Sequence, residues 1–435
     1  MTKFGKQAGI NVGILSSFLN SQRVLSPDQL DKITTAMNLK EGSLYNQYIE
    51  ESLMDSSPDW RRIKNFLYRC AELNKIEHIK KVTDMLSNDL LYSSFLFEAA
   101  EEFFKTKKME AAIILYENVA INERKQHSER LAVCQYRLFM AKQSYDQEEN
   151  YRLAITFEPF IERLNEVDEL EALKDLSNIY RSLRRWDKVE KVAEQLQHKA
   201  WFQYHLEHKN YHQNWHLPLF VYILHAYLLL GGVNEERKDY KKALEYAEKS
   251  GDSSWVQEND EKAESWKQKF KEWSIVNSHV AKLFSGDKNI IEAYTTYALS
   301  RSEEVPLFLL NITEAANRFS FDIDHILQQF NTEIQNLANQ IQSMDRYTEQ
   351  MNRERYIRFL YEMANYELRK TNYELGFNQL LDALKQSHMI DNKIYIIRCV
   401  DLFEKYNNYA DIKIKRNYKS ILKEIQQDSL LDWLN

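Results

Sequence analysis

Four of the chain's 11 histidines, His205, His208, His212 and His216, follow one another at spacings of 3, 4 and 4. On one helix that spacing forms a stripe, and two imidazoles three or four residues apart can share a metal ion. The same stripe is open to two other readings: a face that protonates near neutrality, or an ordinary solvated surface. No cysteine lies nearby and the segment is a polar, aromatic-rich connection ahead of Pro218, so the ordinary surface is adopted and no metal or cofactor is expected. Cys70, Cys134 and Cys399 lie far apart without a CxxC pair and read as reduced thiols of a cytoplasmic protein. Signatures of catalysis are missing: the sequence has no GxSxG, no HExxH and no glycine-rich phosphate loop. A non-enzymatic protein is expected.

The elements that must position any site are helices. Gly and Pro number 9 and 5 among 435 residues, about 3% where average usage is about 12%. Sheets, hairpins and phosphate loops draw on those two residues for special backbone angles. Their scarcity predicts an all-α protein with short connections, and the length exceeds one hydrophobic core. Net charge is −7, so the chain as a whole is no generic polyanion binder and any nucleic-acid contact must be local. The longest apolar stretch, Leu217 to Leu230, is too short for a membrane span of about 18 or more residues. It reads as a buried core helix, and no signal peptide opens the chain.

Two regions differ in character. Residues 1–53 carry short polar helices, Met54 to Asp59 is linker-like, and residues 60–435 are a near-continuous run of amphipathic patterns. Within the second region a motif of small residue, aromatic, small residue, aromatic recurs as Ala100, Phe103, Ala112, Tyr116 and as Ala281, Phe284, Ala293, Tyr297. Weaker copies run Ser177, Tyr180, Val189, Ala193 and Ala364, Glu367, Gly376, Leu380, with Tyr366 able to stand in for the missing aromatic. Small residues let two antiparallel helices approach, and aromatics fill the space to the next hairpin. The pattern resembles the tetratricopeptide repeat (TPR), whose unit is about 34 residues. It implies a right-handed α-solenoid of about eight or nine hairpins, and it accounts for the 26 Tyr and 21 Phe. Phe330, Ile334, Leu337, Ile341, Met344 and Met351, with Thr348 in the skipped place, follow a heptad-like seam. That seam is either an extended repeat helix or a dimerisation helix.

Residues 4–23 read FGKQAGINVGILSSFLNSQR. A short helix ending at Gly9 would be followed by a second one capped by Asn11, with Ile10, Leu15 and Phe18 inward. Ser26-Pro27-Asp28-Gln29 is a capping box with Pro at the first helical position. The arrangement resembles the helix-turn-helix of the Cro and phage-repressor class. That resemblance implies Asn11, Gly13, Ser16, Ser17 and Asn20 in the major groove, with Lys3, Lys6, Gln7, Gln22 and Arg23 near phosphates. Asn and Ser suit base edges chemically. The first helix of the class is missing, so either the true start lies upstream or the bundle is incomplete and packs on the repeats.

A helix-turn-helix ahead of a long TPR-like array resembles the RRNPP group of peptide-pheromone regulators of Gram-positive bacteria and their phages, which includes NprR-, PlcR- and arbitrium-receptor-like proteins. The stretches WRRIKNFLYRCAELNKIEHIKKV, HSERLAVCQYRLF and ALKDLSNIYRSLRRWDKVE are similar to large Bacillus-group helix-turn-helix regulators. The resemblance implies a homodimer that binds a double-stranded DNA operator and holds a short signalling peptide, or a partner protein segment, in a groove through Asn side chains. An Asn amide donates and accepts at once. Asn178 and Asn365 each follow the small residue of a repeat's first helix, while Lys174 and Arg181 could reach a peptide carboxylate. The expected function is peptide-sensing transcription regulation. The alternative is a TPR interaction protein that regulates a partner and keeps a structural helix-turn-helix remnant.

Overall fold

The computed structural model describes residues 1–20, 22–53, 59–87, 90–124, 128–207, 215–302, 305–340 and 346–432, and no strand occurs among them. The protein is an all-helical α-solenoid of sequential hairpins, as its shortage of Gly and Pro predicts. Its contacts divide into two units, residues 1–142 with 160–164 and residues 143–159 with 165–435. The linker-like residues 54–58 lie outside the described residues.

Unit 1 opens with α1 (Thr2–Ala8), α2 (Val12–Leu19), α3 (Pro27–Ala36) and α4 (Tyr45–Tyr48). It continues with α5 (Trp60–Glu72), α6 (Ile76–Met85), α7 (Leu90–Lys105), α8 (Met109–Glu123) and α9 (Glu129–Ala141). Gly9 ends α1 at φ 63°, and the Asn11 side chain accepts from Gly13 N to cap α2. A Cβ on Gly5 would stand 3.0 Å from Ile10 O and 3.2 Å from Val12 Cγ2, so this glycine lets α1 and α2 pack closely. The capping box at Ser26 and Gln29 forms as expected. One apolar core runs without a break from Ala8, Ile10 and Leu15 through Phe66 and Ala100 to Leu138.

Unit 2 comprises α10 (Gln147–Phe157), α11 (Glu166–Ser182), α12 (Trp186–Glu207), α13 (Leu219–Glu236), α14 (Tyr240–Gly251), α15 (Glu261–Phe284) and α16 (Ile290–Leu299). It ends with α17 (Val305–Phe319), α18 (Asp324–Gln329), α19 (Asn331–Asn336), α20 (Arg346–Arg369), α21 (Tyr373–Met389), α22 (Lys393–Tyr406) and α23 (Ile412–Asp432). Neighbouring helices pack in sequence, but α20 also packs on both α17 and α11. Gln350 Nε2 donates to Ser144 O at 2.6 Å, Tyr145 Oη to Glu349 at 3.1 Å, and Gln147 N to Ile390 O at 3.2 Å. The late repeats of unit 2 thus close onto its first. The apolar stretch after Pro218 forms α13, buried on nearly every side as its unbroken hydrophobicity requires. No described helix is long and apolar enough to cross a membrane.

The repeat motif is borne out unevenly. Ala100, Phe103, Ala112 and Tyr116 are all in the core, and so are Ser177, Tyr180, Val189 and Ala193. In the copy beginning Ala281, however, Ala293 is exposed and Tyr294 and Ala298 are the buried pair. The reason is the turn: five residues separate α15 from α16 where three separate α7 from α8, which shifts the second helix's register. At the weakest copy, Gly376 is a genuine close approach, since a Cβ there would meet Leu368 Cγ at 2.7 Å. The buried Tyr366 replaces the absent aromatic, its hydroxyl donating to Asp324 at 2.7 Å.

The heptad-like seam is not one helix among the described residues. The chain breaks at Phe330 between α18 and α19 because that ring packs into the core, 5.2 Å from the Phe308 ring, with Leu337 also buried. No continuous helix spans the seam among the described residues. Ile341 and Met344, and the side chain of Thr348, lie outside the described residues.

Buried tyrosines explain the excess of Tyr over Phe. Tyr116 donates to Glu101 at 2.6 Å, Tyr180 to Glu158 at 2.6 Å and Tyr222 to Glu171 at 2.7 Å. Each ring fills space between hairpins while its hydroxyl is satisfied by a carboxylate on a neighbouring segment. Turns recur in one form as well: Lys108 N bonds Phe103 O, Arg185 N bonds Tyr180 O and Asn372 N bonds Glu367 O. This six-to-one closure needs a left-handed residue, usually Gly. Here Asn74, Lys107, Arg184, Lys238, Ser320, Thr371 and Asp391 occupy that slot. Thr371, β-branched at φ 66°, is the most strained of them. Thr371→Gly should therefore stabilise unit 2 by about 0.5–1 kcal/mol, read as a higher denaturation midpoint; an unchanged or lower midpoint would refute the strain.

Candidate functional site

Closure of α20 onto α11 leaves a cavity of about 260 Å³ inside unit 2. Helices α11, α13, α15, α17, α20 and α22, the first helices of successive hairpins, turn residues into it, joined by Trp186 of α12 and by Tyr240, Ala243 and Ala247 of α14. Its lining carries seven cationic side chains (Arg181, Arg184, Lys238, Arg318, Arg355, Arg358, Arg398) against four glutamates (Glu235, Glu236, Glu314, Glu354). A local excess of positive charge inside a chain of net charge −7 is a feature that composition conceals. Leu228, Val280, Phe284 and Leu307 add apolar wall.

Arg358 organises the charges. Its Nη2 lies 2.8 Å from Glu314 and its Nε 3.8 Å from Glu354. Burial alone would lower the Arg358 guanidinium, but Glu354 and Glu314 outweigh it and hold the group firmly charged. Arg184 pairs with Glu236 at 2.5 Å and approaches Glu354 at 3.8 Å. Burial, with Glu314 adding like charge, pushes the Glu235 carboxyl up to about 7, against the pull of Arg358, Arg184 and Arg181. Glu362, on the same helix as Arg358, is raised to about 7 for the same two reasons. Two donors on the wall are unused: Trp186 Nε1 and Arg358 Nε are buried with no hydrogen-bond partner.

Of the four residues expected to hold a peptide, only Arg181 lines this cavity. Lys174, Asn178 and Arg181 do share one face of α11, as their spacing requires. Lys174, however, is held by Glu171 and by Asp175 at 3.3 Å. Asn178 Oδ1 lies 3.1 Å from Nε2 of His225. Burial, reinforced by Arg181 and Lys174, pushes that imidazole down to about 3, so it is neutral and donates to the amide. Asn365 lies beyond the cavity on α20, on the face that carries Arg358 and Glu362. The amide that sequence reasoning missed is Asn277, which lines the wall and makes no hydrogen bond among the described residues.

Also missed were Glu235, Arg358, Arg398 and Trp186. One legible signal existed, the Gly231-Gly232 pair inside the apolar α13. Interior helical glycines cost about 0.5–1 kcal/mol each and so mark a packing need. A Cβ on Gly232 would stand 3.4 Å from the Trp186 ring.

In the amino-terminal head, Lys6, Asn11, Gly13, Asn20, Gln22 and Arg23 are exposed, and Ser16 and Ser17 are half-buried. Asn11 spends its carbonyl oxygen on the α2 cap, and the Gln7 amide donates to Ala36 O at 3.0 Å. Gly13, Ser16, Ser17 and Asn20 form one polar stripe along α2, interrupted by no buried side chain. The histidine stripe does not form on one described helix. His205 bonds Trp201 O at 2.7 Å within α12, and His216 lies beyond its end, 3.5 Å from Asp168. His208 and His212 lie outside the described residues.

No protein-family model and no curated protein matches this sequence. Among solved structures, the chain is similar to the crystal structure of aspartyl phosphate phosphatase F from Bacillus subtilis, at a TM-score of 0.39 and 12% identity over 81% of this chain and 94% of that one. The likeness is too distant to transfer the role of any residue.

Proposed function

We propose that this protein is a cytoplasmic, non-enzymatic regulator. Its amino-terminal helix-turn-helix reads a double-stranded DNA operator as a homodimer, and its helical repeats sense a short signalling peptide or partner segment. The cavity of unit 2 carries the reading. It is partly open to solvent, walled mainly by the first helices of successive hairpins, and mixes apolar surface with convergent charged groups, as ligand sites do. The free amide of Asn277 suits a peptide backbone, which needs a donor and an acceptor together.

The α1–Gly9–α2 geometry and the polar stripe along α2 support DNA reading. A gel shift of the chain on DNA from upstream of its own gene tests it. The native protein should retard the fragment, and Ser16→Ala with Asn20→Ala should weaken binding by about tenfold, since one good base contact is worth about 1–3 kcal/mol. Affinity should fall as salt rises. Salt-insensitive failure of every form to bind would refute the regulator reading. A second reading, an interaction protein with a structural helix-turn-helix remnant, is favoured by the unbroken core from Ala8 to Leu138, which welds the head to the first repeats.

A further inference from the structure

The charge balance of the cavity specifies its ligand more narrowly than a peptide of any kind. Seven cations face four glutamates. Three of the glutamates lie beside arginines, Glu314 with Arg358, Glu236 with Arg184 and Glu354 near both, while Glu235 makes no ion pair among the described residues. Three arginines make no ion pair among the described residues, one of them Arg318, which donates to the Tyr240 hydroxyl. The other two are Arg181 and Arg398, the latter donating only to the Tyr395 hydroxyl, at 3.0 Å. Both lie among groups that would repel a cationic ligand. Arg181 and Arg358 act on Glu235, and Arg358 and Arg398 act together on Glu362. Of the wall's buried polar atoms without a hydrogen-bond partner, Trp186 Nε1 and Arg358 Nε call for an acceptor, against the one acceptor Glu354 Oε1. A bare polyanion would leave the apolar wall of Leu228, Val280, Phe284 and Leu307 unmatched, whereas a peptide fills both kinds of surface.

We infer that the ligand is an acidic peptide segment whose carboxylate, from its C-terminus or from an Asp or Glu side chain, is held by Arg181 and Arg398, with the free donors of Trp186 and Arg358 completing the site. Arginine suits this task because its planar fork of donors matches a carboxylate. The inference rests on the proposed role of the cavity as the ligand site, and it adds the sign of the ligand's charge and the residues that read it.

The test uses the full chain, with binding followed by thermal shift and calorimetry. Four probes are compared: a random hexapeptide pool rich in Asp and Glu with free C-termini, the matched pool with Asn, Gln and C-terminal amides, citrate, and inorganic phosphate. The acidic pool should bind and raise the melting temperature, the neutral pool should bind at least tenfold more weakly, and citrate and phosphate should bind weakest of all. Arg181→Met with Arg398→Met should abolish the preference, while Arg181→Lys with Arg398→Lys should keep part of it, which separates charge recognition from loss of folding. Equal binding of acidic and neutral pools would overturn the inference and leave peptide sensing standing. Binding of citrate or phosphate with neither pool would overturn the peptide form of the ligand. Failure of every probe would overturn the inference and the ligand-site reading together.

Discussion

Arg358→Met is expected to destabilise unit 2 by about 2–3 kcal/mol, between the values for exposed and fully buried ion pairs, because Arg358 and Glu314 are half-buried. The guanidinium answers Glu314 directly at 2.8 Å and Glu354 at 3.8 Å, and it lowers the carboxyls of both Glu235 and Glu362. Without it, Glu314 loses its ion pair and Glu354 keeps only Arg184, at 3.8 Å, and burying underpaired charge is what makes such a change costly. The methionine fills most of the lost volume, so the effect is electrostatic and not a cavity term. Adding Glu314→Gln should recover part of the loss, because the residue left unpaired is removed with its partner. Denaturant unfolding followed by the tyrosine and tryptophan signal reads both values. A loss below about 1 kcal/mol for Arg358→Met would mean that the arginine is solvated, not structural.

Glu235→Gln should change how stability depends on pH. The Glu235 carboxyl is raised to about 7 in the folded chain from an ordinary value of 4.5, so the folded state binds its proton more tightly than the unfolded state does. By linkage, that contribution is fully present below about pH 4.5 and is lost as pH rises through about 7. The native protein should lose stability across this window, and Gln at 235, neutral throughout, should not share that part of the loss. Melting curves should therefore nearly coincide at pH 5, with the variant ahead at pH 8 by on the order of 2 kcal/mol. Glu362, raised for the same reasons, keeps a residual slope in both proteins. A variant that is weaker at pH 8 than the native chain would reverse the sign and refute the account.

How far the sequence revealed these features depends on the range of the interactions involved. Composition sufficed for the all-helical class, and local chemistry sufficed for Gly9, the Asn11 cap and the Ser26 capping box, each of which involves residues within four positions. The shortage of glycine carried less meaning than expected, because Lys107, Arg184 and Thr371 fill left-handed turn positions that glycine usually takes. The shifted register at Ala293 came from two extra turn residues, which a fixed-spacing motif cannot accommodate. The cavity lay beyond sequence reasoning for a different reason. Arg181, Glu235, Glu314, Arg358 and Arg398 stand on five helices spread over more than 200 residues, and only the packing of α20 on α11 brings them together. Read singly, each looks like one more charge on a solvated helix face, as Arg358 does within RERYIR. Asn178 shows the converse: its place on α11 singled it out in the sequence, yet it lies outside the cavity lining and His225 already occupies its carbonyl oxygen.

We propose that filling the cavity of unit 2 alters DNA reading by the head, and one titration tests it. Fluorescence anisotropy gives the Kd of the full chain for labelled DNA from upstream of its own gene, with and without the acidic hexapeptide pool, for the native protein and for Arg181→Met with Arg398→Met. A coupling of about 1–3 kcal/mol, the usual range for linked sites, predicts that the pool shifts the native Kd by about 5-fold or more. The double variant should bind DNA like the ligand-free native protein and ignore the pool. The same Kd for native protein with and without peptide, or an equal shift in the double variant, would contradict the account.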